Sequence, residues 1–230
     1  MKILELMAAN DPQAVTGYLA EAVQRLAAAG AEVGLIAANT PHVVFDAVQR
    51  RSSIPLVSIV EATCAEAKSR GLHRLALFGT RYTMAGRFYP DVFSREGMVI
   101  VPPSAEEQAF IHDAYLGELV KGDIRPQTRQ RLLAIVDATQ VRESIDSVIL
   151  GGTDLSLILH DGDHALPLLD TTRIHVQAAS AAHPGKNQER WDIPTSLHPN
   201  QPNFVRSSCH EMCFKRRLHR PRPGKQEWRL

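Results

Sequence analysis

Cysteine is scarce in this chain, which has three among 230 residues. Cys64 stands alone, while Cys209 and Cys213 lie close together, and this is too few and too clustered for a disulfide framework. The sequence also lacks an apolar run of membrane-spanning length and an N-terminal secretion signal. We therefore expect a cytoplasmic protein with no membrane partner.

A large excess of charge of either sign is also lacking, because the net charge is +1. Ten of the 26 Lys and Arg residues and four of the 25 Asp and Glu residues lie in 184–230, which leaves 16 basic and 21 acidic residues in 1–183. Residues 184–230 are also rich in Pro, Asn, Gln and His and have no helical or strand period. They are predicted to form a basic, disordered tail in solvent, and no nucleic-acid partner is expected.

The remaining chain has enough apolar residues for a core, at 44% hydrophobic overall. Short Val/Ile/Leu runs alternate with segments of helical period, beginning with a helix capped by Asp11 and started by Pro12. Predicted strands cover 33–37, 54–59, 74–78, 98–101, 147–150 and 166–169. Predicted helices cover 42–49, 61–69, 84–95, 105–120, 128–141, 155–160 and 171–182. This alternation predicts an α/β fold with parallel sheets covered on both faces.

Three of the predicted strands end in small residues and hydroxyls. Asn39-Thr40, Gly79-Thr80 and the run from Gly151 to Asp154 follow these strands. Because ligands of such folds bind at the carboxyl ends of the strands, these groups are expected on one rim, where they suit a small carboxylate. Each of them alone can also be a helix cap, and that alternative stays open.

Several segments together carry a family resemblance. They are Ala37-Ala-Asn-Thr-Pro-His42, Ile54-Pro-Leu56, Ile59-Val-Glu-Ala-Thr63, Leu77-Phe-Gly-Thr-Arg-Tyr-Thr-Met84, Phe88-Tyr89, Glu107-Gln-Ala-Phe-Ile-His112, Glu118-Leu119, Ile149-Leu-Gly-Gly-Thr-Asp154 and Leu168-Leu-Asp-Thr-Thr-Arg-Ile-His175. In order and spacing, from about residue 12 to residue 182, the chain resembles the aspartate/glutamate racemase family.

The resemblance implies two pseudo-symmetric parallel-sheet α/β domains with the ligand site between them. We expect the first domain at 1–78 plus 168–183, the second at 79–167 and the tail at 184–230. The implied reaction inverts the α-carbon of an acidic amino acid by two thiols on opposite faces, without pyridoxal phosphate, metal or other cofactor. The implied ligand is a small amino acid or dicarboxylate, and homodimerisation stays open. The implied substrate-binding residues are Asn39, Thr40, Thr80, Thr83 and Thr153.

Both thiol positions differ in this chain, where they are Ala38 and Gly152. Neither side chain can carry a proton, and the following acidic residue is Asp154 where the family has Glu. Cys64 lies within a predicted helix, away from the strand ends, and is expected to be a small buried apolar residue. Proton transfer would need a substitute group, for which His42, His112 and Asp154 are the candidates.

Both ends of the sequence also depart from the family pattern. The family's first strand and Gly-rich loop are expected to be missing, with Leu4, Leu6 and Met7 partly covering the exposed sheet. Cys209, Cys213 and His219, with His198, are a weak zinc pattern, and we expect no metal site. Three functions stay open: an amino-acid racemase, a non-catalytic carboxylate-binding relative, and an inactive remnant.

Overall fold

The computed structural model describes residues 2–9 and 11–182. The predicted tail, with Cys209, Cys213, His198 and His219, lies outside the described residues. The helices and strands are α1 (Lys2–Ala8), α2 (Pro12–Ala28), β1 (Gly34–Leu35), α3 (Phe45–Gln49), β2 (Leu56–Val57), α4 (Ile59–Ser69), β3 (Arg74–Gly79), α5 (Arg81–Ala85), α6 (Phe88–Phe93), β4 (Val99–Val101), α7 (Ala105–Gly117), α8 (Pro126–Glu143), β5 (Ser147–Gly151), β6 (Leu168–Asp170) and α9 (Thr171–Ala181). Short 3-10 turns cover Thr40–Val44, Ser94–Glu96, Leu119–Lys121 and Leu155–Leu157.

The larger sheet is parallel and has the strand order β4-β3-β5-β6. Alternate residues of its central strands supply two separate apolar clusters, with Ala76 and Phe78 on one face and Leu75 and Leu77 on the other. Residues of α7 and α8 join the first cluster, and residues of α4, α6 and α9 join the second. The predicted α/β class with parallel sheets covered on both faces is therefore confirmed.

The smaller sheet is shorter than the sequence predicts. β1 and β2 pair in parallel over two residues each, with Gly34 opposite Leu56, and all four residues are half-buried. The predicted strand over 54–59 is wrong in length, because Ile54 before β2 has its backbone N–H and carbonyl oxygen bonded to the Ser52 hydroxyl, and Ser58 directly after β2 caps α4. These side-chain bonds take backbone groups that a longer strand would use.

Helix boundaries were predicted well where a capping residue marks them. Asp11 caps α2 and Asp170 caps α9, each by accepting hydrogen bonds from backbone N–H groups of the first turn. The predicted helix over 84–95 is wrong, since α5 ends at Ala85, the following Gly86 has an extended backbone, and α6 begins at Phe88. A Cβ at Gly86 would lie 2.7 Å from the carbonyl oxygen of Tyr82, so this break needs glycine.

The larger sheet contains strands from both of the domains predicted from the sequence. It contains β3 and β6 as well as β4 and β5, and so joins residues from both sides of the boundaries expected at 78/79 and 167/168. The division into two domains stays a prediction. Within residues 2–9 and 11–182, no helix has the length and apolar character of a membrane span.

Candidate functional site

Three threonine hydroxyls meet beside the carboxyl end of β3. Oγ1 of Thr40 lies 3.1 Å from Oγ1 of Thr80 and 3.1 Å from Oγ1 of Thr83, and the latter two atoms are 3.3 Å apart. Thr80 caps α5, while Thr40 begins the 3-10 turn that follows β1. The structure thus brings together the predicted site residues from two strand ends, and we call Thr40, Thr80 and Thr83 the threonine cluster.

Thr83 also links this cluster to the end of β5. Its side chain is fully buried, and its methyl carbon would lie 3.3 Å from a Cβ at Gly151. Gly79 and Gly151 are opposite each other in the β3–β5 pair, and a Cβ at Gly79 would lie 2.7 Å from the Gly151 carbonyl oxygen. Glycine at both positions therefore allows Thr83 to pack across the two strand ends. Thr40 and Thr80 are half-buried and remain accessible from solvent.

Asn39 is turned into the protein. Its Nδ2 donates to Oγ1 of Thr171 at 3.2 Å, and its Oδ1 accepts from the hydroxyl of Tyr89 at 2.6 Å. Thr171 in turn donates to the carbonyl oxygen of Leu150 at 2.7 Å. Asn39 is 4% exposed, so its amide ties β1 to the larger sheet and to α6. The structure does not place this amide among the accessible hydroxyls of the threonine cluster.

The second predicted half-site is built around Tyr115 of α7. The Tyr115 hydroxyl donates to Oδ2 of Asp154 at 2.8 Å, and Thr153 donates to the same oxygen at 3.1 Å. A Cβ at Gly152 would lie 2.4 Å from Cε2 and 3.1 Å from the hydroxyl oxygen of Tyr115. Burial, followed by the Asp154 carboxylate, raises the pKa of Tyr115, so the phenol keeps its proton. The space beside Gly152 therefore holds a protonated phenol.

The first predicted thiol position, Ala38, is half-buried and its carbonyl oxygen accepts from Nδ1 of His42 at 2.8 Å. Nε2 of His42 accepts from the backbone N–H of Ile59 at 3.1 Å. The ring stacks on Phe45, and burial lowers the pKa of His42 to about 3 despite the bond to Ala38. His42 is thus a neutral structural residue with both nitrogens occupied.

His112, another candidate for proton transfer, and Cys64, which was expected to be a buried apolar residue, are both engaged within the fold. The backbone N–H and the Nε of Arg81 lie 3.2 Å and 3.0 Å from the two ring nitrogens of His112. Burial, and then the charge of Arg81, lower the pKa of His112. Cys64 lies in the core between α4 and the larger sheet, and burial raises the pKa of its thiol, as expected for a buried apolar residue.

Two cavities lie near these residues. The smaller one, of about 210 Å³, borders the threonine cluster at Thr40. A groove of about 490 Å³ runs along α3 and α6, and its lining includes His42 but none of the threonines predicted to bind substrate. Among residues 2–9 and 11–182, no group of three or more His, Cys, Asp or Glu side chains is arranged to hold a metal ion.

Comparison with known proteins gives the family. The profile of the Asp/Glu/hydantoin racemase family matches residues 4–179. The chain belongs to this family. Among solved structures, it is similar to an Asp/Glu racemase candidate from Yersinia pestis, with 30% identity, a TM-score of 0.72 and 78% of each chain covered. An aspartate racemase homologue from Pyrococcus horikoshii OT3 has 34% identity and a TM-score of 0.66, over 72% of this chain and 73% of that one.

A curated relative is the broad specificity amino-acid racemase RacX of Bacillus subtilis strain 168. It is 23% identical over 150 residues, which are 64% of this chain and 63% of RacX. The chain thus matches less than two thirds of the length of this family member. The resemblance seen in the sequence is confirmed by these matches, whereas the role of each site residue stays a prediction.

Two tyrosines of the site region were missed by the sequence analysis as functional residues. Tyr89 holds Asn39, and Tyr115 occupies the space beside Gly152. Both come from helices distant in sequence, and nothing in their local pattern separates them from ordinary core aromatics. The one available signal was Gly152 itself, because a missing side chain in a packed interior implies that a neighbour fills the space.

Proposed function

We propose that this member of the family binds a small carboxylate at the threonine cluster and performs no two-thiol racemisation. The single observation that carries the proposal is the convergence of the Thr40, Thr80 and Thr83 hydroxyls at 3.1–3.3 Å beside a cavity. Hydroxyls donate to carboxylate oxygens without requiring a charged partner. Thr40 and Thr80 are the accessible members that would donate to the ligand.

The second part of the proposal rests on the groups that could move a proton. Ala38 and Gly152 have no ionisable side chain, and Cys64 is a core residue. His42 has both ring nitrogens bonded within the fold. The positions that correspond to the family's thiols therefore provide neither a base nor an acid.

Isothermal titration calorimetry with a panel of amino acids and simple carboxylates tests the binding. Thr40→Val and Thr80→Val remove a hydroxyl at nearly constant volume, and each should weaken carboxylate binding by roughly tenfold. Thr139→Val is a matched control, because Thr139 is a buried threonine of α8 outside the cluster. Equal affinity in wild-type protein and in both cluster variants would contradict the proposal.

Amino-acid racemisation is the second candidate function, favoured by the family match and by the likeness to RacX. The proton-bearing group available near Gly152 is the phenol of Tyr115, held by Asp154. Incubation of each amino acid that binds with the protein in deuterated water separates the two functions. Deuterium at the α-carbon together with formation of the opposite enantiomer, both lost in Tyr115→Phe, would establish racemisation that depends on the phenol and overturn the non-catalytic proposal.

A further inference from the structure

The cavity beside Thr40 has a largely apolar wall. Thr40 is the one member of the threonine cluster that lines it. The rest of the wall is predominantly apolar and comes from α1, α2 and the segments after β1 and β3. These other lining residues are Leu6, Met7, Asp11, Pro12, Val15, Val43 and Tyr82.

The charge on the described part of this wall comes from one residue. Among the described residues that line the cavity, Asp11 is the lone carboxylate and none is Lys, Arg or His. Oδ1 of Asp11 accepts from the backbone N–H of Ala14 at 2.9 Å, and among the described residues Oδ2 has no partner. A second carboxylate on the ligand would find no cation among these described lining residues and would be repelled by Asp11, whereas an ammonium group would be attracted.

The size of the cavity limits the ligand. A volume of about 210 Å³ corresponds to roughly seven water-sized groups at about 30 Å³ each. This suits a single amino acid with a side chain of moderate size. Leu6, Met7 and Val43 offer aliphatic contacts, and the ring of Tyr82 offers a flat one, so an apolar side chain would bury its surface on entering.

We infer that the ligand is a neutral amino acid with an apolar side chain, and this inference rests on the proposed carboxylate binding. Its α-carboxylate accepts from Thr40 and Thr80, its side chain enters the cavity between Leu6 and Val43, and its ammonium group faces Asp11. The acidic amino acids implied by the sequence resemblance are disfavoured, because their side-chain carboxylate would lie against apolar residues and Asp11.

Calorimetry on the full chain with leucine, aspartate and 4-methylpentanoate, which is leucine without its ammonium group, tests this inference. Leucine should bind at least roughly tenfold more tightly than aspartate. Asp11→Asn should lower the affinity for leucine toward that for 4-methylpentanoate and leave 4-methylpentanoate unchanged. Asparagine also caps helices well, so this variant should keep α2 intact.

A cation in the wall gives the converse test. Val43 is 51% exposed, so Val43→Arg should fold, and it should shift the preference from leucine toward aspartate. The inference is overturned if aspartate binds wild-type protein as tightly as leucine. If Thr40→Val also weakens the binding of both compounds, the proposed carboxylate site still stands. If none of the three compounds binds, the proposed function fails and the inference fails with it.

Discussion

The ring of Tyr115 fills the space in which a side chain at position 152 would begin, because a Cβ there would lie 2.4 Å from Cε2 of Tyr115. Both residues are buried, and the Tyr115 hydroxyl is held by Asp154. The missing side chain at position 152, where the sequence resemblance implies a thiol, is thus matched by the packing of an aromatic ring from α7. Placing a thiol at this position requires that the ring also change.

Gly152→Ala should lower the free energy of unfolding by about 1–3 kcal/mol, the usual range for overpacking a buried site. Gly17→Ala is the matched control, because nothing lies within 4 Å of a Cβ at Gly17 in α2. This control should be neutral or stabilise by up to about 1 kcal/mol. Urea denaturation measures both. In a Tyr115→Leu background the penalty of Gly152→Ala should shrink, and an unchanged penalty would contradict the steric account.

Thiols at both positions where the sequence resemblance implies them should not by themselves produce racemisation. In Ala38→Cys/Gly152→Cys the new thiol at position 152 competes with the Tyr115 ring for the same space. We expect deuterium exchange at the α-carbon of a bound amino acid only after Tyr115→Leu is added to the pair. Mass spectrometry of the amino acid measures the exchange. The control is Gly152→Cys/Tyr115→Leu, which keeps Ala38 and should form none of the opposite enantiomer by chiral chromatography, since inversion needs a group on each face of the α-carbon. Exchange by the double thiol variant alone would disprove the steric block.

Tyr89→Phe should destabilise the protein by about 1–3 kcal/mol, because it leaves Oδ1 of Asn39 buried without its donor. Tyr82→Phe, at a residue 43% exposed, is the control and should change stability little. Thermal and urea unfolding of the two variants give the comparison. A Tyr89→Phe protein as stable as Tyr82→Phe would show that the bond between Tyr89 and Asn39 contributes no net stability.

Much of the fold could be predicted from the sequence because local signals agree with the tertiary structure. The apolar run that becomes β3 and the caps at Asp11 and Asp170 are signals of this kind. The threonines at two strand ends also meet as the rule for parallel sheets predicts.

The sequence predicts which hydroxyls meet at the candidate site. It does not predict which side chains form hydrogen bonds with the other residues there. Asn39 was expected to face a ligand, and only the position of Tyr89 and Thr171 in space shows that its amide is bonded within the protein. His42 is similar, since its contacts with Ala38 and Ile59 arise from the turn after β1 packing on α4. Side chains that link separate elements leave no local pattern in a single sequence.

Acidification should destabilise the protein below pH 6.5 in part through His42, whose pKa is lowered to about 3 by burial. Between these pH values the unfolded chain binds a proton at His42 and the folded chain does not, so stability falls as pH falls, by at most about 1.4 kcal/mol per pH unit for this residue. The pKa values of His112 and His175 are also lowered by burial, which adds to the same trend. Urea denaturation between pH 7 and 5.5, where carboxylates stay mostly ionised, measures the slope. His42→Gln should reduce it whatever its effect on absolute stability, and an unchanged slope would show that His42 is protonated in the folded protein.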